Sequence, residues 1–375
     1  MKSTVLAGLF CFLLLFLTGC LQKDSTTKAP TQPAVQTGTL PVRVTTDTAL
    51  VGQTSTPNAA STEITKEEDS GSRSESDMHL KTSNTVRDVV NHPAFEGFGQ
   101  FILPLDRGRY DMDMPLENVA SLLPYHSNVD PDAAVNTINY MIDEVASGET
   151  IFYDFYTDQQ KQSDPTKEST GLFFFRGKPD APFAVISPGG GFSYVGSVHE
   201  GFPHAIALSQ KGYNAFVLQY RVGGEQVACE DLAAALSYIF KNAKTLEVST
   251  ENYSAWGSSA GARMAARIGS YGAAVYGGDE IPRPSTVVMA YTGHTDFTKN
   301  DPPTFAVVGD RDGIANASTM ERRVNLMRSA GIDVEFHVYK NVGHGFGLGI
   351  GTNAEGWFED AVRFWENHMS NIEPQ

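Results

Sequence analysis

The chain has 375 residues, 41% of them hydrophobic, and a formal net charge of −16. That length accommodates one large folded domain with flanking segments. The strong acidity, without clustered lysine and arginine, argues against nucleic acid as a partner and against anionic lipid surfaces, and it suits a soluble exported protein.

Residues 1–19 combine Lys2 with an apolar run at 5–17 and a small-residue ending. This is the pattern of a secretory signal, since a helix crossing a bilayer takes about 20 apolar residues. Leu17-Thr18-Gly19-Cys20 resembles the bacterial lipobox, which implies cleavage before Cys20 and lipid attachment to its sulfur. A lipid anchored there would hold the mature protein to a bacterial membrane on its extracytoplasmic side.

Residues 20–90 hold no aromatic side chain, and more than a third of positions 25–76 are Ser or Thr. Such a composition cannot bury enough apolar surface to fold, so a disordered tether is expected. Residues 91–149, with a helical pattern at 131–146, read as an N-terminal extension packed on a catalytic domain at 150–375. The sequence leaves open whether the extension covers the active site or buttresses the sheet. Cys229 is the one cysteine left to the folded part once Cys11 and Cys20 are set aside, and it falls on the apolar face of a helical pattern. It is expected to be a core residue, and no disulfide is available to the mature domain.

From residue 150 onward, strands and helices alternate. Extended runs at 151–156 and 172–176 suggest an antiparallel opening hairpin. Strands are then expected at 183–187, 215–220, 253–257, 286–291, 304–308 and 334–339. Helices are expected near 203–211, 228–241, 262–268, 318–331 and 357–365, with Ser318 to Glu321 reading as a capping box. Alternation of this length implies an α/β fold with a mostly parallel sheet and helices on both faces.

Gly257-Ser258-Ser259-Ala260-Gly261 lies between the strand and helix patterns at 253–257 and 262–268. A serine hydroxyl becomes a useful nucleophile only when held exposed beside a base, and the small residues here permit the sharp turn that does so. Ser259 is therefore the candidate nucleophile, and the Ala260 N–H a candidate oxyanion donor. His344, between two glycines just beyond the last strand, is the candidate base. For the acid that orients it, Asp312 and Asp310 compete beyond the strand ending at Val308. Asp312 is favoured because it reaches further past the strand end, Asp310 suits a turn-capping role, and Asp296 ranks third. Gly189, Gly190 and Gly191 follow the strand ending at Ser187. That is where backbone N–H groups of Gly190 and Gly191 could complete an oxyanion hole. No cofactor is implied, and no histidine–carboxylate cluster shows metal-ligand spacing.

With nucleophile, acid and histidine in this order, residues 150–368 resemble the alpha/beta-hydrolase superfamily. The resemblance implies an eight-stranded sheet, a triad of Ser259, His344 and Asp312, and an oxyanion hole from Ala260 with Gly190 or Gly191. The Pro-Gly-Gly-Gly-Phe loop at 188–192, His199-Glu200-Gly201, Tyr220-Arg221 and the Ser259 pentapeptide look like the bacterial acetyl-esterase and feruloyl-esterase-like branch. Pro188 departs from the histidine that hormone-sensitive-lipase-like esterases carry there. The resemblance implies a serine esterase acting on short-chain acyl esters, acetyl above all, of a small molecule or a glycan. His199 and Glu200 are candidate pocket residues or simply the start of a helix. A prolyl-oligopeptidase-like peptidase and a non-catalytic glycan-binding lipoprotein are the alternatives.

Overall fold

The computed structural model describes residues 78–106, 108 and 110–369. The expected signal segment, the lipidation site Cys20 and most of the expected tether lie outside the described residues. The end of that tether does not: Leu80, Val86 and Val89 are buried in the core, and helix α1 (Val86–Val90) carries a capping box between Thr85 and Asp88. The boundary expected at residue 90 is thus too late. Valines at 86 and 89 are one helical turn apart, so even a five-residue helix presents an apolar edge to pack.

The strands are β1 (Phe152–Tyr153), β2 (Gly171–Phe175), β3 (Pro182–Ser187), β4 (Asn214–Gln219), β5 (Ser249–Ser258), β6 (Thr286–Ala290), β7 (Thr304–Gly309) and β8 (Val334–Tyr339). They form one sheet in the order β1-β2-β4-β3-β5-β6-β7-β8. β2 pairs antiparallel with both β1 and β4, and every later pairing is parallel. Strands β2, β3, β4, β6 and β7 are buried along their whole length, as expected of strands covered on both faces. β1 is shorter than its pattern because only Phe152 and Tyr153 pair with β2, and the chain then turns away into α3 (Asp158–Ser163).

The larger helices are α2 (Pro131–Ala146), α4 (Phe202–Gln210), α5 (Glu225–Leu246), α6 (Ala260–Tyr271), α7 (Ala317–Ser329) and α8 (Trp357–Asn367). Neighbouring residues of β5 show how both faces are covered. The Trp256 ring packs against Phe358 and Trp365 of α8, whereas Gly257 lies under the Gly261 carbonyl of α6. Alternation along a strand sends successive side chains to opposite faces, so α8 and α6 sit on opposite sides of the sheet. Cys229 is fully buried on α5, and desolvation pushes its thiol up to about 12, as befits an inert core residue. The cap of helix α7 lies two residues earlier than its pattern suggests. It is Asn316, whose side chain accepts from the Ser318 N–H, and no Ser318 capping box forms. Asparagine in extended backbone just before the helix satisfies the first free N–H as well as serine would.

The segment before β1 packs on the sheet edge. Phe98 stacks on Phe152 at 4.8 Å and meets Phe173 edge-on at 6.0 Å, and Tyr140 of α2 stacks on Phe175 at 6.5 Å. The Phe98 and Tyr140 rings are partly buried against the core, and with the fully buried Phe95, Ile138 and Met141 they make the extension part of the domain.

Candidate active site

β5 runs into α6 through Ser259, whose φ of 51° and ψ of −113° lie outside the ordinary allowed regions. Ser259 is held there by its N–H donating to the Ala290 carbonyl at 2.8 Å. The flanking glycines make the turn possible. A Cβ at Gly257 would stand 2.2 Å from the Gly261 oxygen, and one at Gly261 would stand 1.8 Å from the Ser187 oxygen. Strand, turn and helix can approach only without side chains at those two positions.

His344 lies on the loop after β8, with Nε2 at 2.9 Å from Ser259 Oγ and Nδ1 at 2.7 Å from Asp312 Oδ2. Asp312 follows β7. Its Oδ1 accepts from the N–H groups of Ile314 and Ala315 at 2.8 and 2.6 Å, so the carboxylate is fixed by its own turn. The two side chains are 6% and 0% exposed, which shields the pair from water and strengthens it. The competing aspartates are engaged elsewhere. Asp310 accepts from the Asn341 N–H at 2.6 Å, and Asp296 binds Arg267 and Tyr271, each at 2.6 Å.

A cleft of about 280 Å³ opens over Ser259, walled by Gly191, Phe192, Ala260, Tyr291, Ile314 and Ala315, with Arg263 at one side. Ala260 begins α6 and lines the cleft, so the positive end of the helix dipole lies at the cleft. Gly190 and Gly191 adopt φ of 136° and 63° in the turn after β3. The Gly190 carbonyl accepts from the N–H groups of Ser193 and Tyr194. Gly191 borders the cleft, and Gly190 stands one residue behind it. Tyr220 supports the start of this turn by donating to the Pro188 carbonyl at 2.8 Å.

His199 and Glu200 do not line this cleft. They belong to a π-helical turn (Ser197–Gly201) ahead of α4. His199 reaches the Gly345 carbonyl at 3.1 Å and borders a separate cavity of about 120 Å³ with Pro203, Phe346 and Leu348. Desolvation lowers its pKa. Glu200 is fully buried beneath the glycine turn, accepting from the Gly189 N–H at 2.7 Å and from the Tyr291 hydroxyl at 2.8 Å. Burial alone would raise its pKa, but the neighbouring His126 and His199 and the Tyr291 hydrogen bond hold it down to about 2. A glutamate two residues from a helix start signals only a dipole contact in sequence, because its partners come from three distant segments. Tyr291, packed edge-on against His344 at 5.1 Å, and His126 carry no local sequence signal for the same reason.

The BD-FAE family model matches residues 176–297, about a third of the chain. Among curated proteins no sequence match was found. An acetyl ester-xyloside bifunctional hydrolase from Caldicellulosiruptor lactoaceticus superposes with a TM-score of 0.50 at 18% identity, over 58% of this chain and 95% of that one. The fold is that of the alpha/beta hydrolases. An alpha/beta hydrolase from a Medee basin deep-sea metagenome library aligns at 25% identity with a TM-score of 0.47, over 53% of this chain and 93% of that one. A sugar hydrolase from Lactococcus lactis aligns at 22% and 0.48, over 54% and 96%. In the alpha/beta-hydrolase fold, the turn after β5, the loop after β7 and the loop after β8 all open at the carboxyl end of the parallel strands, where Ser259, Asp312 and His344 meet.

Proposed function

We propose that the protein is a serine esterase, exported and lipid-anchored through Cys20, that hydrolyses short-chain acyl esters. The observation that carries this reading is the unbroken hydrogen-bonded chain from Ser259 Oγ through His344 to Asp312, with helix α6 beginning at the serine. Ser259 Oγ attacks the ester carbonyl while His344 Nε2 takes its proton, and Asp312 holds the imidazole in the tautomer that can accept it. The carbonyl electrons move to an oxyanion that the N–H groups of Ala260 and of Gly190 or Gly191 stabilise. Collapse expels the alcohol, which leaves with the proton from His344. Water, deprotonated by His344, then attacks the acyl-serine and releases the acid.

Phe192, Ile314 and Ala315 give the cleft over Ser259 an apolar lining for an acyl group. Arg263, 42% exposed at its side, offers donors to an oxygen-rich alcohol such as a carbohydrate. The BD-FAE match over the segment that carries the glycine turn and Ser259 supports the same reading.

The test is hydrolysis of p-nitrophenyl acetate, butyrate and octanoate by the wild type and Ser259→Ala, with a prolyl p-nitroanilide alongside. Acetate turnover should exceed octanoate turnover and fall about 10⁴-fold or more in the variant. Cleavage of the prolyl amide without ester hydrolysis would replace this reading with a peptidase.

A further inference from the structure

Three consecutive residues of the segment before β1 reach both loops that carry the proposed chemistry. Tyr125 donates its N–H to the Tyr194 hydroxyl at 3.2 Å and stacks its ring on Tyr194 at 5.7 Å. His126 places Nδ1 at 3.0 Å from the same hydroxyl and Nε2 at 3.1 Å from Glu200 Oε1. Ser127 donates Oγ to the His344 carbonyl at 2.7 Å and its N–H to the Gly345 carbonyl at 3.0 Å. Tyr194 and Glu200 belong to the glycine-turn side, and the last two carbonyls belong to the base's own loop.

This contact set is tight. A Cβ at Gly345 would stand 2.7 Å from His126 Cα and 2.8 Å from the Tyr125 oxygen, and one at Gly196 would stand 2.9 Å from His126 Nε2. A carboxylate with no exposed surface must be satisfied from within the protein, and His126, whose side chain is 2% exposed, is packed directly against it. Asp106, from the same N-terminal segment, adds a further tie by accepting from the Val195 N–H at 3.1 Å.

We infer that residues 125–127 form a positioning strap, in which His126 acts through Glu200 on the oxyanion turn and Ser127 acts through the His344 backbone on the base. The inference rests on the proposed esterase reading. Glu200 grips the Gly189 N–H and the Tyr291 hydroxyl together, so the turn bearing Gly190 and Gly191 is fixed relative to the wall that packs on His344. None of the strap residues lines the cleft over Ser259. Their loss should therefore act on the transition state more than on substrate binding, because an oxyanion hole is useful only when its donors are already aimed.

The test uses the full chain. His126→Ala is expected to lower kcat for p-nitrophenyl acetate 10- to 100-fold with KM within about twofold, and Ser127→Ala to lower it about 3- to 10-fold. His126→Gln, whose amide can fill the same space between Tyr194 and Glu200, should recover part of the loss. Ser121→Ala, on an exposed turn of the same segment, should change nothing. Labelling of Ser259 by a fluorophosphonate gives the active fraction and also reports the geometry without ester turnover, so a partly unfolded variant is not mistaken for a misaligned one. Wild-type kcat and labelling rate per active site in both strap variants would overturn the strap. So would a loss of rate fully accounted for by a lower active fraction. A wild type that labels at Ser259 but hydrolyses no ester would overturn the esterase reading instead, and the labelling rates of the variants would still decide the strap.

Discussion

Gly261 sits so close to Ser187 that a side-chain carbon on the first would stand 1.8 Å from the carbonyl oxygen of the second. The obstacle is backbone on β3, not the end of a flexible side chain, and it cannot move without dragging the glycine turn with it. Gly261→Ala is expected to cost at least about 3 kcal/mol, beyond ordinary overpacking, and to lower the yield of folded protein. Gly224→Ala, with nothing near its added carbon and an extended φ of 165°, should stay within about 1 kcal/mol of wild type. Urea unfolding of the two variants checks the contrast.

Asp312 and Asp310 are two residues apart and differ in what they hold. The first reaches His344 Nδ1 at 2.7 Å, and the second anchors the Asn341 N–H at 2.6 Å. Asp312→Asn keeps the shape but lets the amide donate to Nδ1, which puts the imidazole proton on the nitrogen that must accept from Ser259. A fall in kcat of about 10⁴-fold is expected. Asp310→Asn retains an acceptor for the turn and should cost less than about threefold in kcat and about 1 kcal/mol in stability. Comparable losses of kcat in both variants would show that the loop, rather than one carboxylate, is what matters.

The sheet and the pentapeptide were legible because they are local. Period-two and fully apolar runs mark strands, and glycine at 257 and 261 answers a backbone approach that any elbow of this kind requires. What could not be read was everything assembled from distant pieces. Glu200 meets His126 across 74 residues and Tyr291 across 91, and nothing in either local pattern predicts the pairing. Residues 78–90 read as tether on composition, yet Leu80, Val86 and Val89 are buried in the core. Composition averages over a window, and three well-placed apolar residues do not move the average.

Arg263 stands in the first turn of α6, where the helix dipole disfavours a cation. Glu225 offsets this at 3.3 Å while also binding Arg267 at 2.7 Å, so Arg263 retains donors for the cleft it lines. Arg263→Ala should raise KM about 3- to 10-fold for an acetylated sugar, the loss of roughly one hydrogen bond. Its kcat on p-nitrophenyl acetate should stay within about twofold, since that leaving group offers the guanidinium little. Stability should barely change, because the dipole conflict disappears with the ion pair. Equal effects on both substrates would assign Arg263 to the framework instead.

Two buried histidines outside the proposed chemistry make stability depend on pH in a stated direction. His204 packs against Trp357 and Phe358 and is brought down to about 4, chiefly by desolvation. His294 is likewise brought down to about 4, by desolvation first and then by the charges of Arg323, Arg267 and Arg263, which Glu225 partly offsets. Both are neutral in the native state near neutrality. As pH falls below the ordinary histidine value of about 6.5, the unfolded chain takes up protons that the native state refuses, so stability declines until about pH 4. Each group contributes on the order of 2–3 kcal/mol to that decline. Glu200 works over a lower window: its pKa of about 2 lies below the ordinary carboxyl value, so its contribution is complete above about pH 4.5 and fades toward pH 2. Urea unfolding at pH 7.5, 5.5 and 4.5 should show a steady loss, and His204→Gln should flatten the slope even where it lowers stability at pH 7.5. An unchanged slope in that variant would mean that His204 accepts its proton in the folded state.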